Sequence, residues 1–235
     1  MDLKGKSIVV AGASGGMGQV VCRELAKIGA KLAICADNEE KLQKQYEELT
    51  KEYGAEVFAK KVDVTNEEEI KAFIDEAYEK YGELYALANL AGLSIPGKIS
   101  ETDEEAYCKM MDVNVKGTFL MSKHFSGKAA SPAIIVNIGS MAARNANPNA
   151  PLYCTAKAAL NMLSQGMLLQ MGSKDIRVTT VNPGGADTPF WGNRTVDKSK
   201  LMSAEDVAEI ILFVLQSNPR IQIHDIYFES TAKFK

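Results

Sequence analysis

The sequence has few of the residues that build metal centres and disulfide frameworks. Its 235 residues include four cysteines and two histidines, and neither type occurs at spacings typical of metal ligands. The cysteines fall inside predicted helices and strands, so we expect reduced thiols in the protein core. No metal site is predicted. The residues concerned are Cys22, Cys35, Cys108, Cys154, His124 and His224.

Long apolar runs and an excess of charge of one sign are absent too. The chain carries 27 Lys and Arg against 30 Asp and Glu, a formal net charge of −3, which gives no general attraction to nucleic acid or an anionic membrane. No segment approaches the length of a membrane span, and the first apolar run, "SIVVAGA", ends in glycines and lacks a signal-peptide cleavage site. We therefore expect a cytoplasmic protein that acts on a small molecule, with no nucleic acid or membrane partner.

Apolar segments and segments of helical period alternate along the chain, which is 46% hydrophobic. This alternation predicts a single α/β domain over residues 1–235, with a doubly wound parallel sheet of seven strands and helices on both faces. The predicted strands are 7–13, 31–36, 56–62, 84–92, 133–140, 177–184 and 221–228. The predicted helices are 17–29, 39–53, 67–81, 103–127, 151–172 and 203–217.

One long region, residues 183–202, fits neither a strand nor a helix. It is rich in glycine and polar residues and holds the only tryptophan, Trp191. A long loop inside a compact domain is usually functional, and ligands of such sheets bind beyond the carboxyl ends of the strands, where this loop begins. We expect a substrate-binding loop at about 185–202, with Phe190 and Trp191 forming an apolar wall.

A glycine-rich turn, "AGASGGMGQVV", follows the first predicted strand and enters a helix. Backbone amides at a helix start attract phosphate, and glycine lets a diphosphate approach closely. Gly12, Gly16 and Gly18 are separated by three residues and then one, which differs from the commonest dinucleotide fingerprint. This turn would suit a dinucleotide, and it would equally suit another nucleotide-derived ligand such as a methyl donor.

A second motif, "PLYCTAKAAL", places Tyr153 and Lys157 four residues apart on one helical face. Such a pair alone is most often an ordinary surface contact. A neighbouring ammonium group would, however, favour the phenolate and lower the pKa of the tyrosine. The pair gains meaning from the motifs that precede it.

From about residue 5 to the end, the chain resembles the short-chain dehydrogenase/reductase family. The glycine turn, "ANLAG" (88–92), "MDVNVKGTF" (111–119), "VNIGSMA" (136–142), the Tyr-Lys pair and "NPGGADTP" (182–189) occur in the family's order. Two positions depart from the usual motifs: Ala11 replaces a Thr, and Leu90 replaces the second Asn. The resemblance implies a Rossmann fold and an NAD(P)-dependent oxidoreductase with the catalytic residues Asn114, Ser140, Tyr153 and Lys157.

The resemblance also assigns roles in converting a secondary alcohol to a ketone or the reverse. Tyr153 would be the general acid and base, Lys157 would hold the nicotinamide ribose, Ser140 would hold the substrate oxygen, and Asn114 would position a relay water. The substrate would contact Ser140, Tyr153, Phe190 and Trp191. The implied cofactor residues are Gly12, Ser14, Gly15, Gly16, Met17, Gly18, Asp37, Asp63, Val64, Asn89, Ala91, Gly92, Tyr153, Lys157, Pro183, Gly184 and Thr188.

Asp37, at the end of the second strand, indicates the preferred cofactor. A carboxylate here can bind ribose hydroxyls and repel a 2′-phosphate, which predicts a preference for NAD(H), with NADP(H) left open because Lys41 lies nearby. Because members of the family are commonly tetramers or dimers, the resemblance also implies a homotetramer or homodimer formed through helices 103–127 and 151–172. Two alternatives remain: a non-catalytic dinucleotide-binding regulator of the same fold, and a methyltransferase, which has no use for the Tyr-Lys pair.

Overall fold

The computed structural model describes all residues 1–235, which form one Rossmann-like domain around a parallel sheet. The seven strands lie in the spatial order β3-β2-β1-β4-β5-β6-β7, and the chain reverses its direction across the sheet between β1 and β4. The predicted fold class is confirmed. The strands are β1 (Ser7–Ala11), β2 (Lys31–Ala36), β3 (Val57–Lys61), β4 (Leu84–Asn89), β5 (Ala129–Ile138), β6 (Ile176–Pro183) and β7 (Asp225–Phe228).

Seven α-helices connect the strands, and several begin at the caps that the sequence indicates. Asn66 accepts hydrogen bonds from the amides of Glu68 and Glu69, and Ser203 forms a capping box with Asp206. None of the helices is long and apolar enough to cross a membrane. The helices are α1 (Gly16–Ile28), α2 (Glu39–Lys51), α3 (Glu67–Tyr81), α4 (Glu104–Met111), α5 (Gly117–Ser126), α6 (Pro151–Met171) and α7 (Ala204–Leu215).

Both faces of the sheet are covered, which explains why the strands read as continuous apolar runs. Successive residues of a strand point to opposite faces, so Ile8 and Val10 belong to one hydrophobic core and Val9 to the other. Helices α1, α2 and α7 pack against the first core, and α3, α5 and α6 against the second. The buried sheet thereby holds its carboxyl edge rigidly in place.

The predicted helix 103–127 is interrupted. Between α4 and α5 the backbone forms a π-turn at Asp112–Lys116, in which the amide of Gly117 bonds to the carbonyl of Asp112, five residues back. Helical periodicity alone does not reveal this extra residue in one turn. The interruption lies at Asn114, one of the predicted catalytic residues.

Two further predictions need correction. The last strand begins at Asp225 rather than at residue 221, because the Ile221 carbonyl accepts a hydrogen bond from Arg177 instead of joining the sheet. Only Cys22 and Cys35 are core thiols. Cys108 is exposed, and Cys154, in the first turn of α6, is partly exposed, with its Sγ accepting a hydrogen bond from the Asn147 amide.

Candidate active site

A long cleft runs along the carboxyl edge of the sheet, where the strand order reverses between β1 and β4. One part, here called the inner cavity, has a volume of about 810 Å³ and is lined by the glycine turn, the Tyr-Lys pair and the loop after β6. The other part, the outer recess, has a volume of about 740 Å³ and is lined by the ends of β2 and β3. The two parts are continuous, since both are lined by Gly12, Gly15, Asp37, Lys41, Leu90 and Gly92.

The glycine turn between β1 and α1 has no space for side chains. Gly12 has a φ of +76°, and a Cβ there would stand 2.5 Å from the amide nitrogen of Ala91. A Cβ on Gly18 would stand 2.2 Å from the carbonyl oxygen of Gly12. The backbone amides at the start of α1 therefore face the cleft at close range, and no acidic residue occupies the first turn to compete for them.

The outer recess includes several exposed polar side chains at the ends of β2 and β3. Asp37 follows β2 directly, and Asn38 caps α2 by accepting a bond from the Lys41 amide. Asp63 follows β3 and accepts hydrogen bonds from the amide and hydroxyl of Thr65, both at 2.8 Å. The predicted residues Ser14, Asp63, Val64, Ala91 and Gly92 line this recess.

Tyr153 and Lys157 occupy the first two turns of α6, which begins with Pro151, a residue suited to the first helical position. The Lys157 Nζ lies 5.8 Å from the centre of the Tyr153 ring and donates a 2.8 Å hydrogen bond to the Ile138 carbonyl. The lysine is only 3% exposed and forms no ion pair. Burial of its amine lowers the Lys157 pKa to about 7.

The Tyr153 phenol differs from the sequence expectation. Burial raises its pKa to about 12, and hydrogen bonding with Ser140 only partly offsets this. Desolvation of the phenol is the largest influence on this pKa, and the buried Lys157, whose own pKa is lowered, does not offset it. The phenol is thus held as a proton donor.

Ser140 is positioned by the ends of β5 and β6. Its amide donates a 3.0 Å bond to Asn182 Oδ1, and its Oγ accepts a 3.1 Å bond from the Ala142 amide. A Cβ on Gly139 would stand 2.0 Å from Asn182 Oδ1, so glycine is required beside the serine. The accepted bond leaves the hydroxyl proton of Ser140 available to the Tyr153 oxygen or to a substrate oxygen in the cavity.

Asn114 is fully buried at the π-turn between α4 and α5. Its Nδ2 donates to the carbonyls of Leu93 and Met110, both at 2.9 Å, whereas its Oδ1 has no partner in the protein. A Cβ on Gly92 would meet Asn114 Oδ1 at 2.9 Å and Lys157 Nζ at 3.4 Å. The free amide oxygen and the lysine amine therefore border the same small space behind the inner cavity.

The loop after β6 crosses the mouth of the inner cavity. An isolated bridge between Ala186 and Met202 closes its base. Thr188 touches the glycine turn, since a Cβ on Gly16 would stand 2.8 Å from the Thr188 Cβ. The Phe190 ring lies 5.8 Å from the Tyr153 ring, centre to centre. Pro183, Gly184, Thr188, Phe190 and Trp191 all line the cavity.

Asn89, like Asn114, is a predicted residue that lines neither part of the cleft. Its Nδ2 bonds to Ser122 and Asn137 inside the protein, and Asn137 continues the chain of bonds to Ser164. A strand-end asparagine has the same sequence signal whether it faces a ligand or a neighbouring strand.

Arg194 and Lys233 also line the inner cavity, and neither is among the site residues predicted from the sequence. Arg194 lies in the predicted substrate-binding loop, and this position in the sequence is enough to suggest a role in the site. Lys233 belongs to the C-terminal turn Thr231–Phe234, which packs near the cavity through long-range contacts that no local pattern indicates. Asn182, which orients Ser140, belongs to the motif "NPGG", but nothing in the motif predicts its contact with Ser140.

A Rossmann-like sheet with a glycine turn, a tyrosine and a buried lysine along one cleft defines a class of oxidoreductases. A sequence profile of the short chain dehydrogenases matches residues 6–199, and the chain belongs to this family. An uncharacterized oxidoreductase of Staphylococcus saprophyticus is 30% identical over 233 residues, covering 96% of this chain and 97% of the relative. The chain is therefore an oxidoreductase of the short-chain dehydrogenase/reductase family.

Solved structures are similar over almost the whole chain. The alcohol dehydrogenase of the archaeon Thermococcus sibiricus, complexed with 5-hydroxy-NADP, has a TM-score of 0.88 and 26% identity, covering 97% of each chain. A short chain dehydrogenase of Burkholderia cenocepacia in complex with NADP has a TM-score of 0.91 and 25% identity, covering 99% of this chain and 100% of the other.

Proposed function

We propose that the protein is an NAD(P)-dependent oxidoreductase that interconverts a secondary alcohol and a ketone, with Tyr153 as general acid and base. One observation carries the proposal: the Tyr153 phenol borders the inner cavity, with the Ser140 hydroxyl beside it and the buried amine of Lys157 behind it. The cavity also fits a dinucleotide, because the glycine turn leaves no Cβ between the α1 amides and a diphosphate.

Each catalytic side chain then has a distinct task. A nicotinamide dinucleotide held by the glycine turn and Lys157 would supply the hydride to the carbonyl carbon, or accept it in the reverse direction. Tyr153 donates its proton to the substrate oxygen as negative charge develops there, and Ser140 donates a hydrogen bond to that same oxygen. In alcohol oxidation the phenolate of Tyr153 takes the hydroxyl proton.

Lys157 and Asn114 support this proton transfer from behind. When Tyr153 gives up its proton, the ammonium form of Lys157 stabilises the phenolate that remains. The free Oδ1 of Asn114 accepts a hydrogen bond in the space next to Lys157, so that the amine can exchange protons away from the substrate side. Because both groups are buried behind the cavity, this proton would be exchanged with solvent by a path separate from the substrate.

We propose NAD(H) as the preferred cofactor. Asp37 lies at the strand end where ribose hydroxyls would bind, and its carboxylate repels a 2′-phosphate. Two similar solved proteins were obtained with 5-hydroxy-NADP and NADP, and Lys41 borders the same recess. Use of NADP(H) as a second cofactor is therefore the competing outcome of any cofactor assay.

We also propose a cytoplasmic homodimer or homotetramer formed through α5 and α6. Met162 and Leu169 lie seven residues apart on α6 and are 67% and 84% exposed, with Gly166 between them, and Phe119 on α5 is 44% exposed. A stripe of this kind on a helix would be covered by a second copy of the chain. Light scattering should return a dimer or tetramer mass, and a mass near 25.5 kDa would contradict the proposal.

The test of the proposed reaction is a screen of secondary alcohols and ketones with both cofactors. We expect turnover with at least one pair, followed as a change in NADH or NADPH absorbance, and a higher kcat/KM with NAD(H). Calorimetry should show binding of NADH to the same sample. Binding without turnover of any substrate would contradict the proposal and favour a dinucleotide-binding regulator.

A further inference from the structure

The charges around the inner cavity are distributed unevenly. Asp37 is its only acidic lining residue, and it lies at the end shared with the outer recess. Lys233 is paired with Glu229, and Lys157 is buried behind the phenol. Arg194 remains as the basic side chain on the catalytic side that has no acidic partner. The electrostatic potential there favours a negatively charged group.

The guanidinium of Arg194 is held in a defined orientation. Its carbon lies 4.9 Å from the centre of the Trp191 ring and 5.2 Å from that of Phe190, which is cation–π geometry. Its Nε donates a 2.8 Å bond to the Trp191 carbonyl, and one Nη donates to the Phe190 carbonyl. Since a guanidinium has five N–H donors and two are used, three stay available for an anion.

Phe190 links this cation to the catalytic phenol. Its ring is 5.8 Å from the Tyr153 ring and 5.2 Å from the Arg194 guanidinium, so both groups flank one apolar surface. Of the influences on the Tyr153 pKa, burial is the largest and raises it, while the positive charge of Arg194 is among those that lower it. A short carbon chain lying over Phe190 would reach from Tyr153 to Arg194.

We propose that Arg194 binds the carboxylate of the substrate and that the enzyme acts on hydroxy acids and their keto acids. The reacting carbon then stands at Tyr153, a few carbons from the carboxylate at Arg194. This inference rests on the proposed function and specifies its substrate class. A carboxylate suits the planar donor fork, which can hold both oxygens at once.

The experiment compares each acid with its methyl ester. The probes are 2-, 3- and 4-hydroxy acids of four to eight carbons, assayed with NAD⁺ in wild type, Arg194→Gln and Arg194→Lys. We expect wild type to prefer the acids, and Arg194→Gln to raise KM for the acids about ten- to a hundredfold more than KM for the esters. Arg194→Lys should lie between the two. Arg220→Gln, at an exposed arginine outside the cavity, serves as the matched control.

Several results would overturn the inference. Equal use of acids and esters by wild type, while neutral alcohols are oxidised, removes the carboxylate requirement and leaves the proposed function intact. An equal loss for acids and esters in Arg194→Gln assigns the residue to loop packing. A raised KM for NAD⁺ with a neutral alcohol assigns the guanidinium to the diphosphate of the cofactor.

Binding provides a second readout if none of the probes is turned over, a result that would contradict the proposed function itself. Trp191 is the only tryptophan and lies against Arg194, so its fluorescence reports directly on this site. Hydroxy acids should change the emission of wild type and not that of Arg194→Gln, whereas the methyl esters should have no effect on either. Identical titrations for acid and ester would overturn the inference independently of catalysis.

Discussion

The inner cavity and the outer recess differ in how deeply their functional groups are buried. Lys157, which lines the inner cavity, is 3% exposed, and Asn114 behind it is fully buried. In the outer recess, Asp37 and Asp63 stand at strand ends in contact with solvent. Burial shifts proton affinities strongly, as the pKa values of about 7 for Lys157 and about 12 for Tyr153 show.

This difference separates two kinds of control within one cleft. Groups in the inner cavity act on each other at low dielectric, so a substitution there changes the chemistry by a large factor. Charges in the outer recess are screened by water and act as modest selectors between ligands. Substitutions in the two parts should therefore differ in both size and kind of effect.

The largest effect is expected from Tyr153→Phe. The variant keeps the ring that packs on Phe190 and loses the proton donor, so kcat should fall by roughly 10²- to 10⁴-fold. Affinity for NADH, measured by calorimetry, should stay unchanged because the phenol contributes little to holding a dinucleotide. Tyr78→Phe, at a tyrosine on α3 outside the cleft, is the control and should leave kcat unchanged. Retention of more than about a tenth of the activity would show that another group is the acid.

A second effect concerns stability and pH at Lys157. Its pKa is about 7 in the folded protein against an ordinary value of 10.5, so between these values the unfolded chain binds the extra proton. The free energy of unfolding should therefore rise with pH across this window, by at most about 1.4 kcal/mol per pH unit from this group. Below pH 7 the full cost of burying the ammonium persists.

Comparison with Lys157→Met isolates this contribution. Other groups titrate in the same window, but they do so in both proteins and cancel in the difference between them. Urea unfolding at several pH values from 7 to 10 should show the wild type gaining stability relative to the variant as pH rises. Parallel stability curves would mean that Lys157 is charged in the folded protein throughout.

The sequence predicts most of the fold because hydrophobic period is a local property. All seven strands and the predicted helical segments are present, with boundaries that differ mainly at the strand ends; β1, for example, ends at Ala11 rather than at residue 13. Steric requirements at Gly12 and Gly18 are also local, since a turn that must approach another backbone needs glycine. These features depend on short stretches of chain.

The surroundings of each side chain in the site, by contrast, depend on contacts between segments that are distant in the sequence. Lys157 is four residues from Tyr153, but its hydrogen-bond partner is the carbonyl of Ile138 at the end of β5. Burial of the phenol itself raises the tyrosine pKa, whereas the sequence predicts a lowered one. The inward placement of Asn89 and the π-turn at Asn114 likewise arise from packing between elements. The sequence therefore predicts which residues form the site, whereas their pKa values and side-chain orientations depend on the folded structure.

The smallest effect is expected at Asp37. A charge pair about 5 Å apart is worth ~1 kcal/mol in water and ~3 kcal/mol at an effective dielectric of 20, and this exposed site lies near the water limit. We therefore expect wild type to favour NAD(H) over NADP(H) in kcat/KM by roughly fivefold, and by no more than about a hundredfold.

Asp37→Arg tests this selection by exchanging repulsion of a 2′-phosphate for attraction, and it should move the NAD(H)/NADP(H) ratio of kcat/KM toward NADP(H) without changing kcat for NADH. Lys41→Gln is the matched control, because it removes the cation that borders the same recess and should shift the ratio the other way. A wild-type preference for NADPH would contradict the proposed cofactor. An unchanged ratio in Asp37→Arg would show that another residue of the recess selects the cofactor. A fall in kcat for NADH would contradict the claim that charges in the outer recess affect cofactor preference and not the chemical step.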